Sequence, residues 1–133
     1  MIVLDTHVLL WFAEDHPDLG RRTTRLADAA LRRDEVLVAA ISFWEIAMLV
    51  ERRRVRVDVS PAMLRQKVLQ QGVREVPVTG AIGIAAVELP GFHGDPADRL
   101  IVATALSIDA PLVTADERIL RWRGGLRTHD ARR

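Results

Sequence analysis

Three short apolar segments, each followed by a helical segment, constrain the fold of this chain most strongly. They are residues 2–4, 36–41 and 112–114. None alternates apolar with polar residues as a half-exposed strand does, so each is typical of a strand covered on both faces. Strands that alternate with helices are joined by right-handed crossovers into a parallel sheet. The pattern therefore predicts an α/β fold around a buried parallel sheet.

The other segments predict helices and two edge strands. Pro61 follows Ser60, and Pro96 follows Asp95, so each proline occupies a first helical position behind an N-cap residue. Helices are predicted over residues 7–12, 20–33, 42–53, 61–71, 79–88, 96–108 and 119–122. A proline within 76–78 favours an edge strand there, and 126–128 is predicted as a last edge strand.

The composition excludes several classes of protein. A chain of 133 residues fits one domain, 1–133, with its own core. Without cysteine there are no disulfides or thiolate metal sites, which fits a reducing cytoplasm. No apolar run approaches the roughly 20 residues that span a bilayer, and Asp5 interrupts the first one, so neither a membrane segment nor a signal peptide is expected. Trp11, Trp44 and Trp122 are predicted to make core or subunit contacts.

The basic residues are almost all arginine. Lys67 is the only lysine among 19 basic residues, and the net charge is +1. Arginine suits bidentate contact with phosphate. The arginines cluster over 21–25, 52–56 and 118–133. Solvated helix faces would also account for each cluster taken alone.

Four carboxylates fall where a parallel sheet brings residues to one edge. Asp5 ends the first strand, Asp116 follows another strand, and Glu45 and Asp98 lie in the first turns of helices. Open parallel sheets bind ligands outside the carboxyl ends of their strands. Carboxylates gathered there raise one another's pKa values unless a cation joins them. Ligation by oxygen alone favours Mg²⁺ or Mn²⁺.

Helix starts offer a simpler explanation for three of these acids. Residues 42–45 form a Ser-x-x-Glu capping box, and 95–98 resemble one. Asp116 could complement the dipole of a following helix. Asp5 has no such cap pattern after it, so the joint placement of the four acids is the stronger signal.

Several further residues are candidates for the same site. Thr6 and Thr114 could hydrogen-bond to ligand carboxylates, or they could cap helices. Arg99 could contact a substrate phosphate or neutralise nearby acids. His7 and His93 lie close in the sequence to the acids but lack the spacing of a zinc motif, which favours structural roles.

Four motifs follow one another along nearly the whole chain. They are residues 4–11 (LDTHVLLW), 42–47 (SFWEIA), 93–105 (HGDPADRLIVATA) and 112–116 (LVTAD). Together they resemble the motifs of PIN-domain proteins, specifically the VapC-type toxins of bacterial toxin–antitoxin pairs. Any one of them alone would not be specific, but four in this order are.

The resemblance implies a three-layer α/β/α sandwich and an endoribonuclease, dependent on Mg²⁺ or Mn²⁺, that acts as a toxin. It marks Asp5, Glu45, Asp98 and Asp116 as the catalytic acids and metal ligands, and Asp95 as an N-cap rather than a ligand. It also implies an RNA substrate and a cognate antitoxin. Exposed tryptophan and arginine-rich helices would suit a homodimer bound to that antitoxin, and a homodimer is expected.

Other functions fit the sequence less well. A phosphatase with Asp5 as nucleophile would usually need a second aspartate where His7 stands. A receiver-like, magnesium-binding signalling domain would need a lysine late in the chain, and Lys67 is in the wrong region. A PIN fold kept only for protein binding would not need the four acids. The chain departs from the family pattern at Ala97, where relatives often carry an aromatic residue, and at 51–54, which replace a glycine-containing turn.

Overall fold

The computed structural model describes residues 1–133, which form five short strands and seven helices. The first half contains β1 (Ile2–Leu4), α1 (Thr6–Ala13), α2 (Arg21–Leu31), β2 (Val36–Ala39), α3 (Ile41–Glu51) and α4 (Pro61–Gln70). The second half contains β3 (Arg74–Val76), α5 (Gly80–Val87), α6 (Pro96–Ser107), β4 (Leu112–Thr114), α7 (Glu117–Arg121) and β5 (Thr128–Asp130). None of the helices is both long and apolar enough to cross a membrane.

The strands form one sheet with the order β3-β2-β1-β4-β5, and every neighbouring pair is parallel. From β1 the chain first moves outward to β2 and β3, and later returns to place β4 and β5 on the other side. The order therefore reverses between β1 and β4, where Val3 pairs with Leu112. A reversal of this kind opens a crevice beyond the carboxyl ends of the two strands, because their following segments leave in different directions.

Helices cover both faces of the sheet. On one face Leu4 and Val38 pack in a cluster with α1, α2, α3 and α4. On the other face Val3 and Leu37 pack with α6 and α7, and α5 packs against the outside of α6. Successive strand residues point to opposite faces, so buried residues throughout a strand require cover on both sides. The predicted three-layer α/β/α sandwich is confirmed.

Several element boundaries differ from those predicted. The strand predicted over 36–41 ends at Ala39, and α3 begins two residues earlier than a capping box at 42–45 would require. Ala40 is the residue before α3, and no side chain caps that end. The strand predicted over 76–78 lies at Arg74–Val76 and is an edge strand as expected. Pro77 ends it because proline has no N–H to donate to the ladder.

The second edge strand is also displaced by two residues. It was predicted over 126–128 and lies at Thr128–Asp130, beside β4. The apolar residue in the predicted segment, Leu126, packs against the core from the loop before the strand. The apolar character of Leu126 therefore indicated correctly that this residue contacts the core, but it did not indicate which residues form the strand.

Candidate active site

Asp5 lies at the carboxyl end of β1 and is held there by two hydrogen bonds. Its Oδ1 accepts the Thr6 N–H at 2.8 Å, and its Oδ2 accepts the Thr114 hydroxyl at 2.6 Å. Asp5 is thus the N-cap of α1, a role that the sequence pattern did not predict. Burial raises the pKa of Asp5, and the hydrogen bond from Thr114 opposes that rise.

Asp98 occupies the first turn of α6, facing the same crevice. As predicted, Asp95 is the N-cap of this helix, and its Oδ1 accepts the Asp98 N–H at 3.2 Å. Asp5 and Asp98 are each 8% exposed, so both carboxylates are largely removed from bulk water. Burial first, and then the charge of Asp5 and the other nearby acids, raise the pKa of Asp98 to about 8.

Glu45 is not engaged in a capping box. Ser42 is fully buried, and its Oγ accepts a hydrogen bond from the Thr6 hydroxyl at 3.0 Å, which leaves the Glu45 carboxylate to line the crevice. Burial raises the pKa of Glu45; the neighbouring Thr6 hydroxyl lowers it in part, and the charge of Asp5 raises it further. The residue is half-buried and so is more accessible than Asp5.

Asp116 serves both as a helix cap and as a wall of the crevice. Its Oδ1 accepts the N–H groups of Arg118 at 2.8 Å and Ile119 at 3.4 Å, which begins α7. Its own N–H donates to the Thr114 hydroxyl at 3.0 Å. Thr114 therefore links Asp5 with Asp116, consistent with its predicted contact with a site carboxylate.

The four predicted acids line one cleft of about 340 Å³, as the parallel sheet led us to expect. A fifth carboxylate, that of Asp95, lines it too. One carboxylate oxygen from each of Glu45, Asp95 and Asp98 lies within 4.8 Å of the others. The sequence pattern predicted only a capping role for Asp95, but a cap uses one oxygen and leaves the other free.

The cleft holds far more negative than positive charge. Five carboxylates line it together with one guanidinium, that of Arg118, whose Nη2 lies 3.9 Å from Asp98 and 3.7 Å from Asp116. No hydrogen bond joins these groups at such distances. A donor set of carboxylate oxygens suits a hard divalent cation, which would remove the repulsion that raises the pKa of Asp98. The residues present therefore fit a divalent metal site.

His93 packs against this site more closely than the sequence suggested. Its Nδ1 accepts the Asp95 N–H at 3.3 Å, so Nε2 carries the proton of the neutral ring. That Nε2 is buried without a hydrogen-bond partner and lies 3.3 Å from Asp98 Oδ2. Burial and the charge of Arg118 lower the pKa of His93. His7, by contrast, is exposed and lines the mouth of the cleft.

Arg99, which was considered for contact with a substrate phosphate, directs its guanidinium at main-chain oxygens. Its guanidinium donates to the carbonyl oxygens of Phe92 at 2.7 Å and His93 at 2.8 Å. Two further carbonyls, those of Ala86 and Val87, accept from its Nη1 at 3.0 and 3.3 Å. Because most of its donors are taken by main-chain oxygens, Arg99 fastens α5 and the loop before α6 to α6. Adjacency to Asp98 in the sequence was a misleading signal, since the two side chains leave the helix in different directions.

Comparisons with known proteins agree with this arrangement. Residues 2–124 match the PIN domain family. The chain is 39% identical over 119 residues to Ribonuclease VapC22 of Mycobacterium tuberculosis, which covers 89% of this chain and 88% of that protein. Its fold is similar to FitAcB from Neisseria gonorrhoeae, with a TM-score of 0.70, 21% identity and 98% of each chain covered. It is also similar to a toxin–antitoxin complex from Klebsiella pneumoniae, with a TM-score of 0.66, 16% identity and 98% of each chain covered.

A parallel α/β/α sandwich with carboxylates gathered at its strand-order reversal is consistent with the metal-dependent nucleases of the PIN domain class. The chain belongs to the PIN domain family.

Proposed function

We propose that this chain is an endoribonuclease dependent on Mg²⁺ or Mn²⁺ and that it acts as the toxin of a toxin–antitoxin pair. The observation that carries the proposal is the cleft in which five carboxylates meet one loosely held guanidinium. The substrate class follows the name of the relative from Mycobacterium tuberculosis, a ribonuclease. The partner class follows the structural relative from Klebsiella pneumoniae, a toxin–antitoxin complex.

The metal would be held chiefly by Asp5 and Asp98, the two most enclosed acids, with Glu45 and Asp116 completing the set. Mg²⁺ and Mn²⁺ are preferred because every available donor is an oxygen. A bound divalent cation supplies positive charge that lowers the pKa of water and stabilises the charge developing on a phosphodiester.

The chain's own residues would hold and complete this centre. Thr114 fixes the rotamer of Asp5 through its 2.6 Å hydrogen bond, and His93 limits the movement of Asp98. Glu45 is more accessible, and its raised pKa makes it a better proton acceptor near neutral pH. We assign it the orientation of the attacking water and the acceptance of its proton. Hydrolysis by water leaves a 5′-phosphate and a 3′-hydroxyl, and no histidine pair is needed.

The phosphatase alternative is not favoured. His7, at the position of the second aspartate that such enzymes use, is exposed at the cleft mouth.

Large apolar side chains on the surface support the proposed protein partners. Those on α3, α4 and α5 are Trp44, Met63, Ile84 and Val87. Exposed apolar side chains of this size are typical of surfaces that other proteins cover. We propose that a homodimer and an antitoxin cover them, in the cytoplasm, where the RNA is available.

Cleavage of end-labelled RNA tests the proposed function. The wild-type protein should cut RNA when Mg²⁺ or Mn²⁺ is present and stop when EDTA is added. Asp98→Asn should lower the cleavage rate by about 100-fold or more, because the site loses a charged ligand of the metal. Asp28→Asn is the matched control, since Asp28 is exposed on α2 outside the cleft. Undiminished cleavage by Asp98→Asn would refute the assignment.

A further inference from the structure

A second cleft of about 500 Å³ lies beside the acidic one and has the opposite charge. Its wall carries Arg118 and Arg121 of α7, Arg123 just beyond that helix, and the aromatic residues Phe92 and Trp122. No acidic side chain lines it. We call this cleft the arginine groove.

The arginine groove is continuous with the acidic cleft. Arg118 lines both, and its guanidinium is the one that approaches Asp98 and Asp116. His93 also lines the groove, while its Nε2 lies against Asp98. A chain-like ligand that reached the acids could therefore continue directly into the groove.

The guanidinium groups of the groove keep donors free for a ligand. The side chain of Arg118 is 61% exposed. Its guanidinium lies 3.7 Å from the Asp116 carboxylate, which is too far for a hydrogen bond. The side chain of Arg121 is 77% exposed and lies 3.7 Å from Glu117, and Arg123 has no ion pair. By contrast, Arg132 is held by short hydrogen bonds to Asp130 and Glu117. Guanidinium groups with free N–H pairs match the geometry of phosphate oxygens.

The aromatic wall of the groove is rigid. The Trp122 indole N–H donates to the Pro90 carbonyl at 2.8 Å, and its ring meets that of Phe92 edge-on at 5.3 Å. The ring also lies so close to the Gly124 backbone that a Cβ at residue 124 would collide with it. Trp122 is therefore both the core contact that the sequence predicted and one side of a fixed aromatic surface. Aromatic surfaces beside cations bind single-stranded nucleic acids by stacking with bases of any identity.

We propose that the arginine groove binds the phosphodiester backbone of single-stranded RNA on one side of the bond that is cut. Arg118 contacts the phosphate nearest the acids, and Arg121 and Arg123 contact those further along the strand. The inference rests on the proposed function and adds the path of the substrate. The acidic cleft repels phosphate groups, so a strand needs positive charge next to it to stay in place. The groove supplies that charge, and Arg99 does not.

Fluorescence anisotropy of a short, labelled single-stranded RNA tests the proposal. All variants are made in the Asp98→Asn background, so that bound RNA is not cut, and affinity is measured over a range of KCl concentrations. Arg121→Ala/Arg123→Ala should weaken binding about tenfold and flatten the slope of log K against log salt by about 1.4, or about 0.7 for each lost phosphate contact. Arg121→Lys/Arg123→Lys should restore most of the slope, because charge is kept.

The matched control is Arg32→Ala/Arg33→Ala, which removes the same charge. These residues lie just before β2, at the amino end of the strands, whereas the two clefts lie at the carboxyl end. This variant should bind RNA like its parent. Equal losses in both double variants would overturn the proposal, because they would reflect net charge alone. An unchanged salt dependence in the Arg121→Ala/Arg123→Ala variant would also overturn the proposal. The ribonuclease assignment would still stand in that case if the wild-type protein cleaves RNA.

Two further outcomes are distinguishable. Loss of antitoxin affinity with RNA affinity intact would make the groove a protein-binding surface and overturn the proposal. A wild-type protein that neither binds nor cuts RNA with Mg²⁺ or Mn²⁺ would remove the proposed function together with the inference.

Discussion

At the scale of single residues, the site depends on hydrogen bonds that fix carboxylates in place. Thr114 is fully buried, donates to Asp5 and accepts from the Asp116 main chain. Asp95 begins α6 with one oxygen and lines the cleft. The same side chains thus start helices and form the site, so capping and metal binding are not alternatives here.

Replacement of Thr114 by valine tests this coupling. Thr114→Val keeps the shape of the side chain but leaves Asp5 Oδ2 without its donor and the Asp116 N–H without its acceptor. We expect Mn²⁺ affinity, measured by calorimetric titration, to fall by about 10- to 100-fold. The free energy of unfolding should fall by about 1–3 kcal/mol, because the lost hydrogen bond is buried and charged.

Thr104→Val is the matched control for that substitution. Thr104 is equally buried, and its hydroxyl donates to the Leu100 carbonyl within α6 at 2.7 Å. Its loss should change stability slightly and Mn²⁺ affinity not at all. Equal Mn²⁺ affinities for Thr114→Val and the wild type would show that Asp5 does not depend on Thr114.

The raised pKa of Asp98 predicts how stability depends on pH without metal. The folded state holds a proton up to about pH 8, whereas the ordinary value for an aspartate is 3.8. Between these values the folded state binds more protons than the unfolded chain, so the free energy of unfolding falls as pH rises. In EDTA we expect Tm to drop by roughly 5 °C or more between about pH 5 and pH 8.

Asp98→Asn should flatten the decline of Tm with pH. Mg²⁺ at pH 8 should raise the Tm of the wild type, and it should raise the Tm of the variant much less. Differential scanning calorimetry measures both effects. His93 and His129 have lowered pKa values and so contribute a rise of Tm with pH. The decisive comparison is therefore between variants, and equal slopes for Asp98→Asn and the wild type would contradict the account of the cleft charges. Asp28→Asn again serves as the control, because an exposed acid should leave the slope unchanged.

At the scale of elements, the buried strands were the most predictable part of the fold. Segments 2–4 and 112–114 are buried throughout because helices cover both faces of the sheet, and the lack of apolar–polar alternation is visible in the sequence. Edge strands carry no such pattern. Their limits depend on which main-chain groups meet the neighbouring strand, so one was predicted two residues too late and the other two residues too early.

The candidate site, like the fold, could be predicted in part from the sequence. The four acids that follow strands or open helices meet in one cleft, as expected from a parallel sheet. The second oxygen of Asp95, the environment of His93 and the contacts of Arg99 could not be predicted. They depend on side-chain directions in a loop and a helix start, which residue spacing does not determine.

Two glycines at different places in the elements should respond oppositely to alanine. Gly72 follows α4 with a φ of +107°, where a Cβ is strained, so Gly72→Ala should destabilise the fold by about 1–2 kcal/mol. Gly83 lies inside α5 with open space around it, so Gly83→Ala should stabilise the fold by up to about 1 kcal/mol. Urea denaturation measures the free energy of unfolding of both variants, and changes of the same sign would contradict this account of the two glycines.

At the scale of the whole molecule, the reversal of strand order between β1 and β4 creates the site. It places Asp5 and Asp116 side by side although 111 positions separate them. The helices that cover the two faces then supply Glu45 from one layer and Asp98 from the other. Next to this concentration of negative charge lies the arginine groove, so the two charged surfaces share a border at Arg118.

Anomalous diffraction from crystals grown with Mn²⁺ tests the central claim most directly. The account predicts a strong peak in the cleft, within coordinating distance of the carboxylates of Asp5 and Asp98, that disappears in Asp98→Asn crystals. Mn²⁺ bound only elsewhere on the protein, or a cleft left empty at saturating Mn²⁺, would contradict it.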